Sequence, residues 1–281
     1  LIFSAVWEGW LVAVTGFDES ERLIWAGRAA AYAGSFAKLC AYPVSQLLDA
    51  AEVGPGVRVL DVGTGPGTVA LAARSRGATV AAVDAEPSMV ELARQAEPAA
   101  DIRVAALPEL PFDDGEFDAV VANFVLNHVG QPKTALAELR RVVRPNGRIS
   151  LTIWTVPPAA GQALLGRAIQ AAGAVRPLHL PPLPSEEDFP RDESGLTDLL
   201  GAAGLRDAGC ETLLWDHRAS AEEWWSGPAA GVAFTGQLVQ SQAPETRAEI
   251  KRHFDLFSLE FADSDGVLTL PHAALLARAR R

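Results

Sequence analysis

Arg58-Val-Leu-Asp-Val62 is a short apolar run that breaks into Gly63-Thr64-Gly65-Pro66-Gly67, and a small-residue stretch with helical spacing follows from Thr68. Strand, glycine-rich turn, helix is the opening unit of a parallel α/β sheet. Glycines in such a turn permit positive φ, let the backbone approach a ligand closely, and leave N–H groups exposed at a helix N-terminus. Their spacing narrows the ligand. A dinucleotide loop reads G-x-G-x-x-G, which puts its third glycine at position 68, where this chain has Thr68. Here the third glycine is Gly67, and an acid, Asp61, opens the motif.

The alternation continues downstream. Residues 79–83 read as a second strand that runs into Asp84, whose carboxylate is placed to accept two hydrogen bonds from a ribose diol. Pro87 opens a helix with Met89, Val90, Leu92 and Ala93 on one side. Residues 102–104 give a short third strand. Residues 117–124 give a fourth, with the near-continuous apolar centre of a sheet covered on both faces. Pro132 opens another helix, and residues 148–154 form the fifth strand. After Trp154 the pattern loosens. Helices are expected at 162–172 and 196–203, a sixth strand at 210–215 and a seventh at 273–279.

Composition limits the partners. The chain has 281 residues and a formal net charge of −11. An acidic surface repels phosphate backbones, so no nucleic-acid partner is expected, and a small or apolar molecule fits better. Cys40 and Cys210 are too few and too far apart for a disulfide framework or a metal site. They suit a reducing, cytoplasmic location. Residues 1–14, LIFSAVWEGWLVAV, are apolar but too short to span a bilayer, and they lack the basic start of a signal peptide. They are expected to be an extension not native to the chain, or part of a lid. No membrane contact and no metal are expected, and the chain is expected as a monomer or homodimer.

VLDVGTGPG (59–67), VDAEPSM (83–89), LPFDDGEFDAVVANFVLNHV (110–129) and ALAELRRVVRPNGRISLTIW (135–154) together resemble the ubiquinone/menaquinone-type branch of the class I S-adenosylmethionine-dependent methyltransferases. The resemblance covers residues 22–155 well and the C-terminal third loosely. It implies an α/β, Rossmann-like fold: a seven-stranded, mostly parallel sheet with helices on both faces. It also implies a helical lid (15–50) on a catalytic domain (51–281) with cap segments near 156–190 and 218–262. S-adenosyl-L-methionine would be the cofactor and S-adenosyl-L-homocysteine the product.

Roles follow position by position from that resemblance. Asp61 and the loop Gly63, Thr64, Gly65 and Gly67 would hold the methionine end, and Asp84 with Ala85 the ribose. Met89 would pack near the adenine, and Ala106-Leu107 would meet its edge. Asn123 and His128 would face the sulfonium region, and Tyr32 would close over the carboxylate. The family often has Asp-Ala where this chain has Ala106-Leu107. One side-chain acceptor is therefore missing, leaving a backbone group or Glu109 to replace it.

His128 follows the fourth strand and has two readings. It is a general base for a substrate hydroxyl or amine, or it packs and hydrogen-bonds locally. His179, His217, His253 and His272 are scattered and are expected outside the chemistry. Trp25, Phe36, Phe189, Trp224, Trp225 and Phe234 fall in the lid and caps, where they line an apolar substrate pocket or form the caps' own core. The expected reaction is methyl transfer to O, N or C of a small, largely apolar or aromatic molecule, such as a secondary metabolite. Two rivals stand beside it: the same fold and cofactor used for a cyclisation or rearrangement, and a non-catalytic cofactor-binding module.

Overall fold

The computed structural model describes residues 14–281. The expectation for residues 1–14 falls outside them, Val14 apart. Four short helices come first: α1 (Gly16–Trp25), α2 (Ala29–Ala33), α3 (Ala37–Cys40) and α4 (Val44–Ala50). Then the chain alternates: β1 (Arg58–Val62), α5 (Thr68–Ser75), β2 (Thr79–Asp84), α6 (Pro87–Ala96), β3 (Asp101–Val104), β4 (Phe117–Asn123), α7 (Pro132–Val142) and β5 (Val143–Trp154). The last third runs α8 (Ala160–Ala171), α9 (Glu193–Ala202), β6 (Arg206–Ser220), α10 (Ala221–Ala229), α11 (Ala233–Gln240), α12 (Pro244–Ser258) and β7 (Val267–Arg280).

Among the described residues seven strands make one sheet, in the order β3-β2-β1-β4-β5-β7-β6. The first five pair in parallel, as a β-α-β sequence requires. β7 then enters antiparallel between β5 and β6. The sequence signal at 210–215 and 273–279 marked only the centre of β6 and the second half of β7, which span 15 and 14 residues. The missed end of β6 carries the charged, exposed Asp216 and Arg218, and the missed start of β7 contains Pro271, which mask a strand pattern.

The central strands are buried on both faces, and their apolar residues alternate between two cores. Leu60, Val62, Ala81, Val83, Val120 and Ala122 pack with Leu136 and Leu139 of α7 and Leu196 and Leu200 of α9. Val59, Val80, Ala82, Ala119 and Val121 pack on the other face with α4, α5 and α6 through Leu47, Leu48, Ala70, Val90 and Ala93. A third cluster joins α8, α10, α11 and α12 through Leu164, Trp224, Val239, Ile250 and Phe254. It roofs the end of the sheet at which β1, β2, β4 and β5 finish.

Local signals fix the elements next to that end. α1 starts with a capping box: Thr15 Oγ1 accepts from the Asp18 N–H, and Asp18 accepts from the Thr15 N–H. Glu86 caps α6 ahead of Pro87. Gly67 caps α5 at φ +91°, where a side chain is strained, and a Cβ there would lie 3.0 Å from Ala93 Cα. α5 and α6 therefore pack closely behind the loop.

Candidate active site

A cavity of about 530 Å³ opens at the carboxyl ends of β1, β2, β4 and β5, beneath α1–α3 and the helices α8, α10 and α11. That is the crevice where parallel α/β sheets bind ligands. One half is built on the glycine-rich loop. Gly63 (φ +65°) has no room for a Cβ, because Val125 Cγ2 fills that position, so bare backbone forms the wall. Asp84 closes β2 and ties the loop down. Its Oδ2 accepts from the Gly65 N–H at 2.8 Å and its Oδ1 from the Glu86 N–H at 2.9 Å. Burial raises its pKa, against those backbone bonds. Ala85, Met89, Ala106 and Leu107 line the same half. Glu109 is exposed and off the cavity wall.

Asp61, Thr64 and Gly67, expected at the methionine end of the cofactor, are not among the residues that line the cavity. Asp61 is 1% exposed and its Oδ2 accepts from Thr64 Oγ1 at 2.6 Å. Its Oδ1 is buried with no partner among the described residues. Burial, with a smaller contribution from the Asp84 charge, lifts the Asp61 pKa to about 7. These groups brace the loop from inside.

The N-terminal helices α1, α2 and α3 reach the cavity. Trp25 meets Tyr32 edge-on at 5.4 Å and His128 edge-on at 5.2 Å. Tyr32 sits over the loop, with its Cε1 3.6 Å from where a Gly65 Cβ would be. It is hydrogen-bonded to Cys40, and burial pushes its pKa well up. The N-terminal segment is tied to the rest of the chain at several points. Asp18 Oδ1 accepts from the Gly130 N–H at 2.7 Å, and Glu86 Oε1 accepts from the Gly27 N–H at 3.3 Å. Asn123 is spent on such ties. It lines the cavity, but its Nδ2 donates to the Cys40 carbonyl (2.8 Å) and its Oδ1 accepts from Thr152 Oγ1 (2.7 Å).

His128 lies on the cavity wall with its Nδ1 2.8 Å from Glu21 Oε2. A carboxylate only accepts, so Nδ1 carries the proton and Nε2 is left as the basic atom. Glu21 was not singled out from sequence. The signal was present: Asp18, Glu21, Arg22 and Trp25 recur at helical spacing and all line the cavity.

The other half is aromatic: Phe36, Phe124, Trp154, Trp224 and Phe234 line it, with Leu39, Leu165, Gln162 and His272. Phe124 stacks on Trp154 (centroids 4.0 Å apart, 19° between planes), and Phe36 meets Trp224 at 5.2 Å. Phe124 and Trp154 stand at the carboxyl ends of β4 and β5, a position that could have marked them. Two expected pocket residues lie elsewhere. Trp225 packs on Phe254 at 5.2 Å inside the helical cluster, because it faces away from the cavity side of α10 that Trp224 takes. Phe189 packs against the core beneath α7 and α9, with the Arg191 guanidinium 4.9 Å from its ring centroid.

Among the described residues no helix is long and apolar enough to cross a membrane. A methyltransferase-domain family model matches residues 60–151, which hold the loop, Asp84 and His128. An uncharacterised protein of Mycobacterium tuberculosis is 36% identical over 168 residues, 58% of this chain and 59% of that protein. The chain thus spans under two thirds of the length of the first curated relatives it matches. The demethylmenaquinone methyltransferase of Beutenbergia cavernae is 34% identical over 59% of this chain and 72% of its own length. A solved structure from Anabaena variabilis, described as a methyltransferase from an antibiotic biosynthesis pathway, aligns with a TM-score of 0.55 at 17% identity. It covers 83% of this chain and 95% of that one.

Proposed function

This chain belongs to the class I S-adenosylmethionine-dependent methyltransferases of the quinone-type branch, and from that premise we propose that it methylates O, N or C of a small, largely apolar or aromatic molecule. One observation carries the reading: a single cavity joins the glycine-loop half to the aromatic half, so a cofactor and a flat apolar acceptor would meet inside it.

The residues suit the cofactor. Asp84 has one backbone donor on each oxygen, and a carboxylate accepts about four hydrogen bonds, so lone pairs remain for a ribose diol. The Gly63 and Gly65 backbone would hold the methionine end with Tyr32 above it, while Asp61, Thr64 and Gly67 keep the loop in shape. Met89 and Ala85 would flank the adenosine, and backbone at Ala106-Leu107 would meet the adenine edge in place of the missing side chain. When bound, S-adenosylmethionine supplies a methyl group activated by the sulfonium charge. The chain's part is then alignment and a dry site. His128, oriented by Glu21, would take the acceptor's proton at Nε2. We extend the proposal to residues 15–50 as a lid, to segments 156–190 and 218–262 as caps, and to a cytoplasmic monomer or homodimer without nucleic acid.

Titration calorimetry should show heat with S-adenosylmethionine and S-adenosylhomocysteine and none with NAD; the reverse rejects the cofactor. An acceptor screen read by mass should give a product one methylene heavier. A product of unchanged mass points to cyclisation or rearrangement, and cofactor binding with no product from any acceptor points to a binding module. On a true acceptor, His128→Ala should lower kcat about 10²-fold with cofactor affinity kept, and Glu21→Gln should act in the same direction by less. Normal turnover in the His128→Ala variant would leave that side chain a packing role only.

A further inference from the structure

The two edges of the sheet differ. β3 closes one edge with 4 residues. β6 closes the other with 15, and no strand pairs with its outer side among the described residues. It holds no proline, and its register with β7 runs unbroken from Gly209 to Ser220. Proteins blunt long edges with prolines, bulges or a cover, because a row of unpaired N–H and C=O groups is a template for another strand.

The middle of β6 is apolar on both faces. Alternation sends Ala208 and Cys210 to the α9 side and Leu213 and Trp215 to the other, so Leu214 stands on the α9 side. Leu214 is 77% exposed. It lies opposite Ala273 of β7, which belongs to an open groove of about 590 Å³ walled by Val156, Pro157, Pro158, Thr212 and Leu275. Val156 is itself 60% exposed. On the other face Trp215 stacks on the exposed Tyr42, with centroids 5.8 Å apart and 18° between planes. Leucine, tryptophan and tyrosine gathered along a free strand edge have the make-up of a protein interface.

The charges of β6 select the partner. Two copies related by a two-fold axis would pair β6 with itself antiparallel, and facing residues must lie on the same face of the joined sheet. One residue then faces its own copy, and that choice sets every other pair. With Glu211 at the axis two carboxylates meet. With Thr212 there Arg206 meets the partner's Arg218, and with Leu213 there Glu211 meets the partner's Trp215. Leu214 at the axis avoids all three conflicts. It sets Leu214 on the partner's Leu214, Leu213 on the partner's Trp215 and Glu211 on the partner's His217, and no like charges face each other from 208 to 220.

We infer that β6 is a dimerisation edge, which pairs antiparallel with β6 of a second copy of this chain about a two-fold axis at Leu214 and joins the two sheets into one. The inference decides between monomer and homodimer and does not depend on the cofactor or acceptor reading. The interface lies one ring behind the cavity, since Trp215 is 6.0 Å from both Trp154 and His272 on its wall.

Sedimentation equilibrium of the full chain tests it. At about 100 µM the wild type should have twice the 29.7 kDa mass of one chain. Leu214→Arg sets two guanidinium groups against each other and should raise the dimer dissociation constant about tenfold or more, while a cooperative urea melt shows that the variant is folded. Position 214 also reads the register. Facing Cα atoms of an antiparallel pair are about 4.5–5.5 Å apart, which a disulfide can bridge. Under oxidising conditions Leu214→Cys should give a dimer cross-linked through position 214, identified by peptide mass. Thr212→Cys should not cross-link to its own copy, because position 212 faces the partner's Asp216. If Leu214→Arg does not fold, the two cysteine variants decide. A wild type that keeps the mass of one chain overturns the inference. So does a dimer that a folded Leu214→Arg variant leaves intact, a Leu214→Cys variant that fails to cross-link through position 214, or a Thr212→Cys variant that cross-links equally well.

Discussion

Asp84 and Asp61 stand at the ends of neighbouring strands, and their surroundings give them different work. Asp84 faces the cavity with lone pairs to spare. Asp84→Ala should weaken S-adenosylmethionine binding by about 2–3 kcal/mol, because two hydrogen bonds to a charged acceptor are lost. Asp84→Asn should cost less, and a wild-type dissociation constant in the alanine variant would take Asp84 out of the site. Asp61 is sealed behind the loop, and its pKa of about 7 is above the 3.8 of a solvated carboxylate. Between those values the folded state holds a proton that the unfolded chain has lost. Stability without cofactor should therefore fall as pH rises from 4 to 7, by up to about 1.4 kcal/mol per pH unit from this group, and level off above 7. Asp61→Asn should flatten that slope and be the more stable protein at pH 8. Denaturant titrations at a series of pH values read this directly, and parallel slopes in the two proteins reject it.

At the level of elements, α10 puts two adjacent tryptophans to separate uses. Trp224 faces the cavity and Phe36, whereas Trp225 faces Phe254 and the Lys251 ammonium. Successive helix residues point about 100° apart, so one can serve the pocket while the other serves the cap core. Trp225→Ala should cost about 2 kcal/mol of stability in a urea melt and leave the acceptor KM unchanged. Phe234→Ala, on the cavity wall, should raise the acceptor KM with little change in cofactor affinity. An increase in KM from Trp225→Ala equal to that from Phe234→Ala would contradict this division. From sequence the two tryptophans were equivalent, because both fall in one aromatic stretch and helical phase relative to a distant strand is not written locally.

For the whole molecule, the position of β7 matters most. It pairs with β5 on one side and β6 on the other, and Arg281 continues the seam by donating from its side chain to the Val143 carbonyl at 2.7 Å. A chain stopped after Gly266 would expose the β5 edge and detach β6, leaving unpaired strand edges that invite aggregation. It should lose cooperative unfolding and collect in the insoluble fraction. A soluble truncation with a normal melt would show that the parallel half of the sheet stands alone.

The parallel α/β core, the loop at 63–67, the carboxylate at 84 and the helices opened by Pro87 and Pro132 were legible before any fold was known. Each is written in adjacent residues: apolar runs, glycine spacing and caps act within a few positions. The aromatic half of the cavity was not legible in that way, because its walls come together only in the folded chain. Glu21 meets His128 across 107 positions. His272 reaches the site because β7 returns antiparallel, which brings its first residues to the end where the parallel strands finish. Trp154 and Phe124 stack because β4 and β5 are neighbours in the sheet. Such contacts depend on strand order and direction, which are set by the packing of the whole sheet and leave no trace in the residues beside them.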